Sequence, residues 1–340
     1  MKALQLVAQG RPLEEVDIEV DAPGPGDVIV RVGAAGICHS DVHYRSGPLG
    51  PDELPVTLGH EVAGSIVAVG DAVGADRVGE RVCLHYQTFC GSCRWCTGGN
   101  EQFCAEGRML GKSRPGGYAE FITVPSVNTV HLPDEVPMEH AAVMMCSSAT
   151  ALHALRQART VADDRVAVWG VGGLGMSAIQ LARAMGVAEV YAVDRNADRL
   201  ALAEDLGATP IDAHGDAVAE LRDLTGGGVD VALELIGSGT TMKQVVDVLG
   251  PRGRAAVVGL SPDSIELAPY GELAVREAEV IGVSDHLLSE LPELLDFYGA
   301  GQLRLDRVVG LTVPLDSVMV NDVMDRMEAF SGPARTVITP

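Results

Sequence analysis

Positive charge and aromatic surface are what this chain has least of. Lys and Arg total 25 against 47 Asp and Glu, for a formal net charge of −22, and lysine is confined to Lys2, Lys112 and Lys243. A surface of that sign repels phosphate backbones, and aromatics at 4% leave few rings for bases to stack on, so the composition argues against nucleic acid as a partner. A salt-adapted host and a GC-rich genome that favours Arg over Lys both produce such a bias. No apolar run approaches the ~20 residues of a membrane span, which argues against a membrane protein. Tandem repeats and low-complexity linkers are lacking as well. Met1–Val7 reads as a first strand and not as a signal peptide, so a cytoplasmic, reducing location is expected.

Cysteine is where the chain is informative: six of the seven fall into two patterns. Cys90, Cys93 and Cys96 are closed by Cys104. Four cysteines so spaced suit either two disulfides or one closed tetrahedral Zn²⁺, and a reducing compartment favours the structural metal. The second pattern is dispersed: Cys38 in Gly-Ile-Cys-His-Ser-Asp, His60-Glu61, and Cys146. Two thiolates and an imidazole leave a fourth position open, which describes a zinc acting as a Lewis acid. Cys83, flanked by Val82 and Leu84, reads as a small buried hydrophobe. His131, His140, His153, His214 and His286 take no role.

Residues 1–147 read as short strands with Gly/Pro turns, an irregular β-barrel; examples are Val28–Val32 and the strand-then-turn Ala63–Gly70. From about Ala149 strands alternate with helices, as in a doubly wound parallel sheet. Strands are expected at Arg165–Trp169, Glu189–Val193, Asp230–Leu235 and Arg254–Val258, then a helix near Leu287–Tyr298 and strands after Arg304. Gly170-Val171-Gly172-Gly173-Leu174-Gly175 lies between a strand and a helix, with Asp194 beyond it. That context is the dinucleotide fingerprint: Gly170 for the turn, Gly172 for the approach of the pyrophosphate, Gly175 for close packing, and a helix N-terminus for the phosphates. Asp194 suits the adenosine ribose of NAD and repels a 2′-phosphate, whereas Arg195 and Arg199 are residues that can hold NADP; the balance favours NAD.

Together, Gly36–Asp41, Gly59-His60-Glu61, the four-cysteine cluster, Gly116–Glu120 and Gly170–Gly175 resemble the zinc-dependent medium-chain alcohol dehydrogenases over essentially the whole chain. The resemblance implies a GroES-like catalytic domain, residues 1–147 plus 284–340, with a Rossmann coenzyme domain, 148–283, inserted. It implies catalytic zinc ligands Cys38, His60 and Cys146, with Asp41 bonded to His60 and Glu61 as an alternate ligand. Ser40 and His43 match a proton relay, and His39, Thr150, Arg199 and Arg335 match cofactor contacts at the pyrophosphate, nicotinamide, adenosine ribose and phosphate. Tyr86 matches an aromatic wall of the substrate pocket, whose shape would depend on loops around Pro48–Leu54, Leu110–Pro115 and Ser284–Leu288. The activity expected is reversible hydride transfer between a primary or simple secondary alcohol and NAD, with two zincs per chain in a homo-oligomer, a tetramer rather than a dimer. A polyol or L-threonine dehydrogenase of the same superfamily is the alternative, and a nucleotide-binding relic without catalysis a remote third.

Overall fold

Alternation of Val28, Val30 and Val32 with more exposed neighbours builds one long strand, Asp27–Ile37, around which the first unit is organised. The computed structural model describes residues 1–47, 50–51 and 53–340. Asp27–Ile37 pairs antiparallel with Glu61–Val69, with Phe121–Pro125 and with the C-terminal strand Arg335–Thr339. The same sheet continues through Arg81–Leu84 to Thr129–His131 on one side and through the parallel strand Val309–Pro314 on the other. A second sheet of three strands is formed by Glu14–Asp17, Lys2–Leu6 and Val56–Thr57. Leu4, Leu6, Val30, Leu58, Ile66, Leu84 and Val124 fill the core they share. The register sets Gly36 opposite Glu61 and Ile37 opposite Thr336, so the chain segments carrying Cys38, His60 and Arg335 meet at one end of the sheet.

The second unit is a six-stranded, fully parallel sheet in the order Thr209–Asp212, Glu189–Asp194, Arg165–Trp169, Val229–Glu234, Leu249–Val257, Glu279–Gly282. This is the doubly wound order, whose direction reverses between Arg165–Trp169 and Val229–Glu234. Val166–Trp169 are buried on both faces, as expected of a strand covered by helices on each side.

The compact units are Met1–Cys146 with Leu287–Glu293 and Val308–Pro340, and Ser147–His286 with Leu294–Arg307. Residues 294–307 thus group with the parallel sheet, where the sequence reading had placed all of 284–340 with the barrel. Long-range contacts explain the difference: Arg307 pairs with Asp205 at 2.7 Å, and the Arg304 amide donates to Gln180 Oε1 at 2.6 Å. The helix expected near Leu287–Tyr298 begins later, at Leu291, after a 3-10 turn at Leu288–Glu290.

Candidate active site

Cys38 follows the long strand and caps the helix His39–Ser46, while His60 immediately precedes the strand that opens at Glu61. Cys146 lies in a single π-helical turn, Met144–Ser148, between two α-helices. Such turns cluster at functional sites. Donor atoms of Cys38, His60, Glu61 and Cys146 all lie within 4.8 Å of one another. Cys38 and Cys146 Sγ are 4.0 Å apart, close to the ~3.8 Å edge of a tetrahedron with Zn–S bonds of about 2.3 Å. The donor set therefore fits zinc in both chemistry and spacing.

Its surroundings are built around Asp41, which is fully buried. Oδ2 of Asp41 accepts from Tyr118 Oη at 2.8 Å and from the Cys38 amide at 2.9 Å. Oδ1 stands 3.3 Å from His60 Nδ1, paired electrostatically but not aligned for a hydrogen bond. Burial alone would push His60 down; the Asp41 carboxylate, then Cys38, outweigh it and hold it well above its ordinary value. The Cys146 thiol, helped by His60 and Arg335, holds Cys38 well below the usual thiol range against the effect of burial. Cys146 moves the opposite way, raised by the same sulfur pairing and by burial. The pair thus favours one thiolate, on Cys38, and a metal bound there would displace the remaining proton.

Burial pushes Glu61 up to about 8, although Arg335 beside it pulls the other way. Arg335, matched by resemblance to a cofactor phosphate, is itself buried and forms its ion pair with Glu61. Ser40 Oγ lies 3.4 Å from His60 Nε2, and Tyr86 sets its ring edge-on to His60 at 5.2 Å. His43 is one helical turn from Ser40, with its ring centroid 5.0 Å from that of His39, which stacks on Phe330 at 5.4 Å. Tyr118 took no role in the sequence reading beyond its place in Gly116–Glu120; its contact with Asp41 spans 77 residues, which no local pattern reveals. Of the loops expected to shape the substrate pocket, Pro48, Leu49 and Asp52 lie outside the described residues.

Cys90, Cys93, Cys96 and Cys104 form the second group of donors within 4.8 Å, and all seven cysteines are unpaired by disulfides. Cys90 and Cys96 Sγ are 3.9 Å apart, and those of Cys93 and Cys96 are 3.4 Å apart. Amide N–H groups point at the sulfurs: that of Cys93 reaches Cys90 Sγ at 3.3 Å and that of Cys90 reaches Cys104 Sγ at 3.4 Å. Backbone donation from Ser92 and Cys93 lowers Cys90 to about 6, favouring the thiolate a metal requires.

In the second unit, Gly172 caps the helix Gly173–Ala184, whose first turn includes Leu174 and Gly175. A Cβ on Gly175 would lie 2.2 Å from the Gly170 carbonyl oxygen, so this crossing admits only glycine. A Cβ on Gly172 would meet nothing within 4 Å, leaving the open approach that a pyrophosphate needs. Asp194 ends its strand, with Oδ2 accepting from the Val171 amide and Oδ1 from the Asn196 amide, both at 2.9 Å. Arg195 is exposed and Arg199 half-buried at the start of the next helix; Thr150 is buried in the helix Ala149–Gln157.

A doubly wound sheet with an open glycine turn and a barrel with two zinc-type donor sets define a zinc-dependent dehydrogenase. Residues 24–134 match the family described as "Alcohol dehydrogenase GroES-like domain", and residues 173–299 match "Zinc-binding dehydrogenase". A protein of Sulfurisphaera tokodaii named NAD-dependent alcohol dehydrogenase is 33% identical, with 100% of each chain covered. The alcohol dehydrogenase of Aeropyrum pernix superposes with a TM-score of 0.91 at 33% identity over 100% of each chain. The 2R,3R-butanediol dehydrogenase of Bacillus subtilis does so at 0.90 and 28% identity, covering 100% of this chain and 99% of the other. The chain belongs to the zinc-dependent medium-chain alcohol dehydrogenase family.

Proposed function

We propose that this protein oxidises a primary or simple secondary alcohol to the aldehyde or ketone, reversibly, with NAD as hydride acceptor. The observation that carries the reading is the convergence of Cys38, His60, Glu61 and Cys146 on one spot, beside Ser40 and Tyr86. Cys38, His60 and Cys146 would hold the catalytic zinc, with Glu61, ion-paired with Arg335, as an alternate ligand. When bound, zinc would supply Lewis acidity toward the substrate oxygen and the dinucleotide would supply a hydride acceptor. Asp41 keeps Nδ1 of His60 protonated and the other ring nitrogen free to ligate. Ser40 Oγ would take the alcohol proton as it gives up its own, and His43, one turn along the same helix, would receive the relayed proton and release one to water. Tyr86 walls the substrate side and excludes water. Gly172–Gly175 and the helix behind them hold the pyrophosphate, and Asp194 takes the adenosine ribose, which favours NAD over NADP. Cys90, Cys93, Cys96 and Cys104 hold the structural zinc.

Similarity to the butanediol dehydrogenase supports a vicinal diol as the second substrate class. Pairing of subunits into a homo-oligomer is supported by the edge strand Glu279–Gly282, on which Val280 is exposed, and a tetramer before a dimer is what the family resemblance implies. We place the protein in the cytoplasm, a reading supported by its unpaired cysteines. The test is NADH formation across ethanol, benzyl alcohol, 2-butanol, 2,3-butanediol, sorbitol and threonine, with NAD against NADP. Turnover of simple alcohols with NAD is the expected outcome. Turnover confined to diols, sorbitol or threonine moves the enzyme to the alternative class, and none at all removes the catalytic reading.

A further inference from the structure

The motif Gly116–Glu120 touches neither substrate nor cofactor in the reading above, yet its first three residues lie along the approach to His60. The amides of Gly116, Tyr118 and Gly117 donate to the carbonyl oxygens of Thr57, Leu58 and Gly59, at 2.8, 2.9 and 2.7 Å. Each of the three residues that precede His60 is thus held. From behind, the Leu4 amide donates to the Tyr118 oxygen at 2.8 Å and ties this strap to the first strand, Lys2–Leu6. The fit leaves no room for side chains: a Cβ on Gly116 would lie 2.2 Å from the Gly59 oxygen, and one on Gly59 2.3 Å from the Tyr118 ring. Gly59 also has a φ of 94°, which residues with a side chain rarely adopt. The last residue before the ligand is therefore pinned both by backbone bonds and by an aromatic ring.

The same tyrosine also reaches the ring of His60, through Asp41. Its hydroxyl donates to Asp41 Oδ2 at 2.8 Å and is joined there by the Cys38 amide at 2.9 Å, while Oδ1 faces His60 Nδ1 at 3.3 Å. A carboxylate held by one donor can swing about it. Two donors on one oxygen fix the plane of the group, and with it the place of the other oxygen. Tyr118, Asp41 and His60 are fully buried, so no solvent stands by to replace a lost bond. A core that needed only the ring would be served by phenylalanine, since a buried hydroxyl must find a partner. Resting on the reading of Cys38, His60 and Cys146 as a zinc site, we infer that Tyr118 is a positioning residue for that metal. It acts through Asp41 on the ring of His60, while its strap holds the main chain that leads into the ligand.

The four-cysteine site in the same chain provides the control. Zinc affinities of both sites are measured on the full chain by competition with a chromophoric chelator, for wild type, Tyr118→Phe, Asp41→Asn and the double variant. Tyr118→Phe keeps the ring over Gly59 and removes only the hydroxyl. It is expected to weaken the catalytic site about tenfold, the lower end of the scale for such outer partners, and to leave the four-cysteine site within about twofold of wild type. Because the hydroxyl acts through Asp41, adding Tyr118→Phe to Asp41→Asn should weaken the site by less than about threefold more. An unchanged catalytic site, equal weakening of both sites, or two effects that multiply in full overturns the inference. If Tyr118→Phe gives no cooperative melt, a fluorotyrosine placed at position 118 of the otherwise native chain carries the test. Its fluorine NMR line should move when the catalytic zinc alone is removed, and a line that stays in place overturns the inference. Wild type that holds zinc only at the four cysteines overturns the reading of the catalytic site itself, and the inference with it.

Discussion

Asp41 does three jobs with one carboxylate: it takes the hydroxyl of Tyr118, takes the amide of Cys38, and faces His60 Nδ1. Asp41→Asn keeps the volume but removes the charge that fixes His60. The expected result is a catalytic zinc bound 10- to 100-fold more weakly, roughly the measured scale for such outer partners, in chelator competition on a variant that still melts cooperatively. His85 makes a different prediction. Burial lowers it to about 4, with Glu290 opposing, against about 6.5 in the unfolded chain. A depressed folded value means that the unfolded chain takes up the proton first. The contribution is therefore intact above pH ~6.5 and is lost as the pH falls toward 4, at most about 3 kcal/mol. Urea unfolding at several pH values should show a shallower acid decline for His85→Leu than for wild type; parallel declines would contradict it. At this scale the sequence was legible wherever a motif is local, as for Cys38, His60 and the four-cysteine cluster. Tyr118 was not legible, because its importance lies in a contact made 77 residues back along the chain.

Among elements, the lobe carrying Cys90–Cys104 is tied to the short piece Leu287–Glu293 by a hydrogen bond to Glu101. Glu101, nearly buried between two of the cysteines, accepts from the Leu288 amide at 2.6 Å. Glu101→Ala should lower stability by about 2 kcal/mol, the scale of a bond to a charged acceptor, and speed hydrogen exchange at Leu288. Unchanged exchange there would show that the bond does not anchor the segment. Four of the six parallel strands, those containing Val166–Trp169, Val190–Val193, Val231–Leu233 and Ala255–Val257, were readable as short apolar runs, whereas Thr209–Asp212 and Glu279–Gly282, four residues each, were not. The long strand was readable only to Val32, since from Ala34 to Ile37 every residue is buried and alternation ends. The π-turn around Cys146 has no period of its own to read, and the allegiance of residues 294–307 rests on Asp205 and Gln180, more than a hundred residues away for Arg307 and Arg304.

For the molecule as a whole, acidity has a measurable consequence. A net charge of −22 repels itself, and salt screens that repulsion over about 10 Å at 0.1 M. The melting temperature should rise with added sodium chloride; a flat or falling dependence would mean that the acidic groups are already balanced by local partners. The fold class and both donor sets were legible from motifs spread over the chain, whereas the division into units required the long-range contacts. The most direct test of the account combines metal content and NADH formation in wild type and Cys38→Ser. The account predicts two zincs per chain and alcohol-dependent NADH formation in wild type, and one zinc with no NADH formation in Cys38→Ser. A Cys38→Ser protein that keeps both zincs and its rate would contradict it.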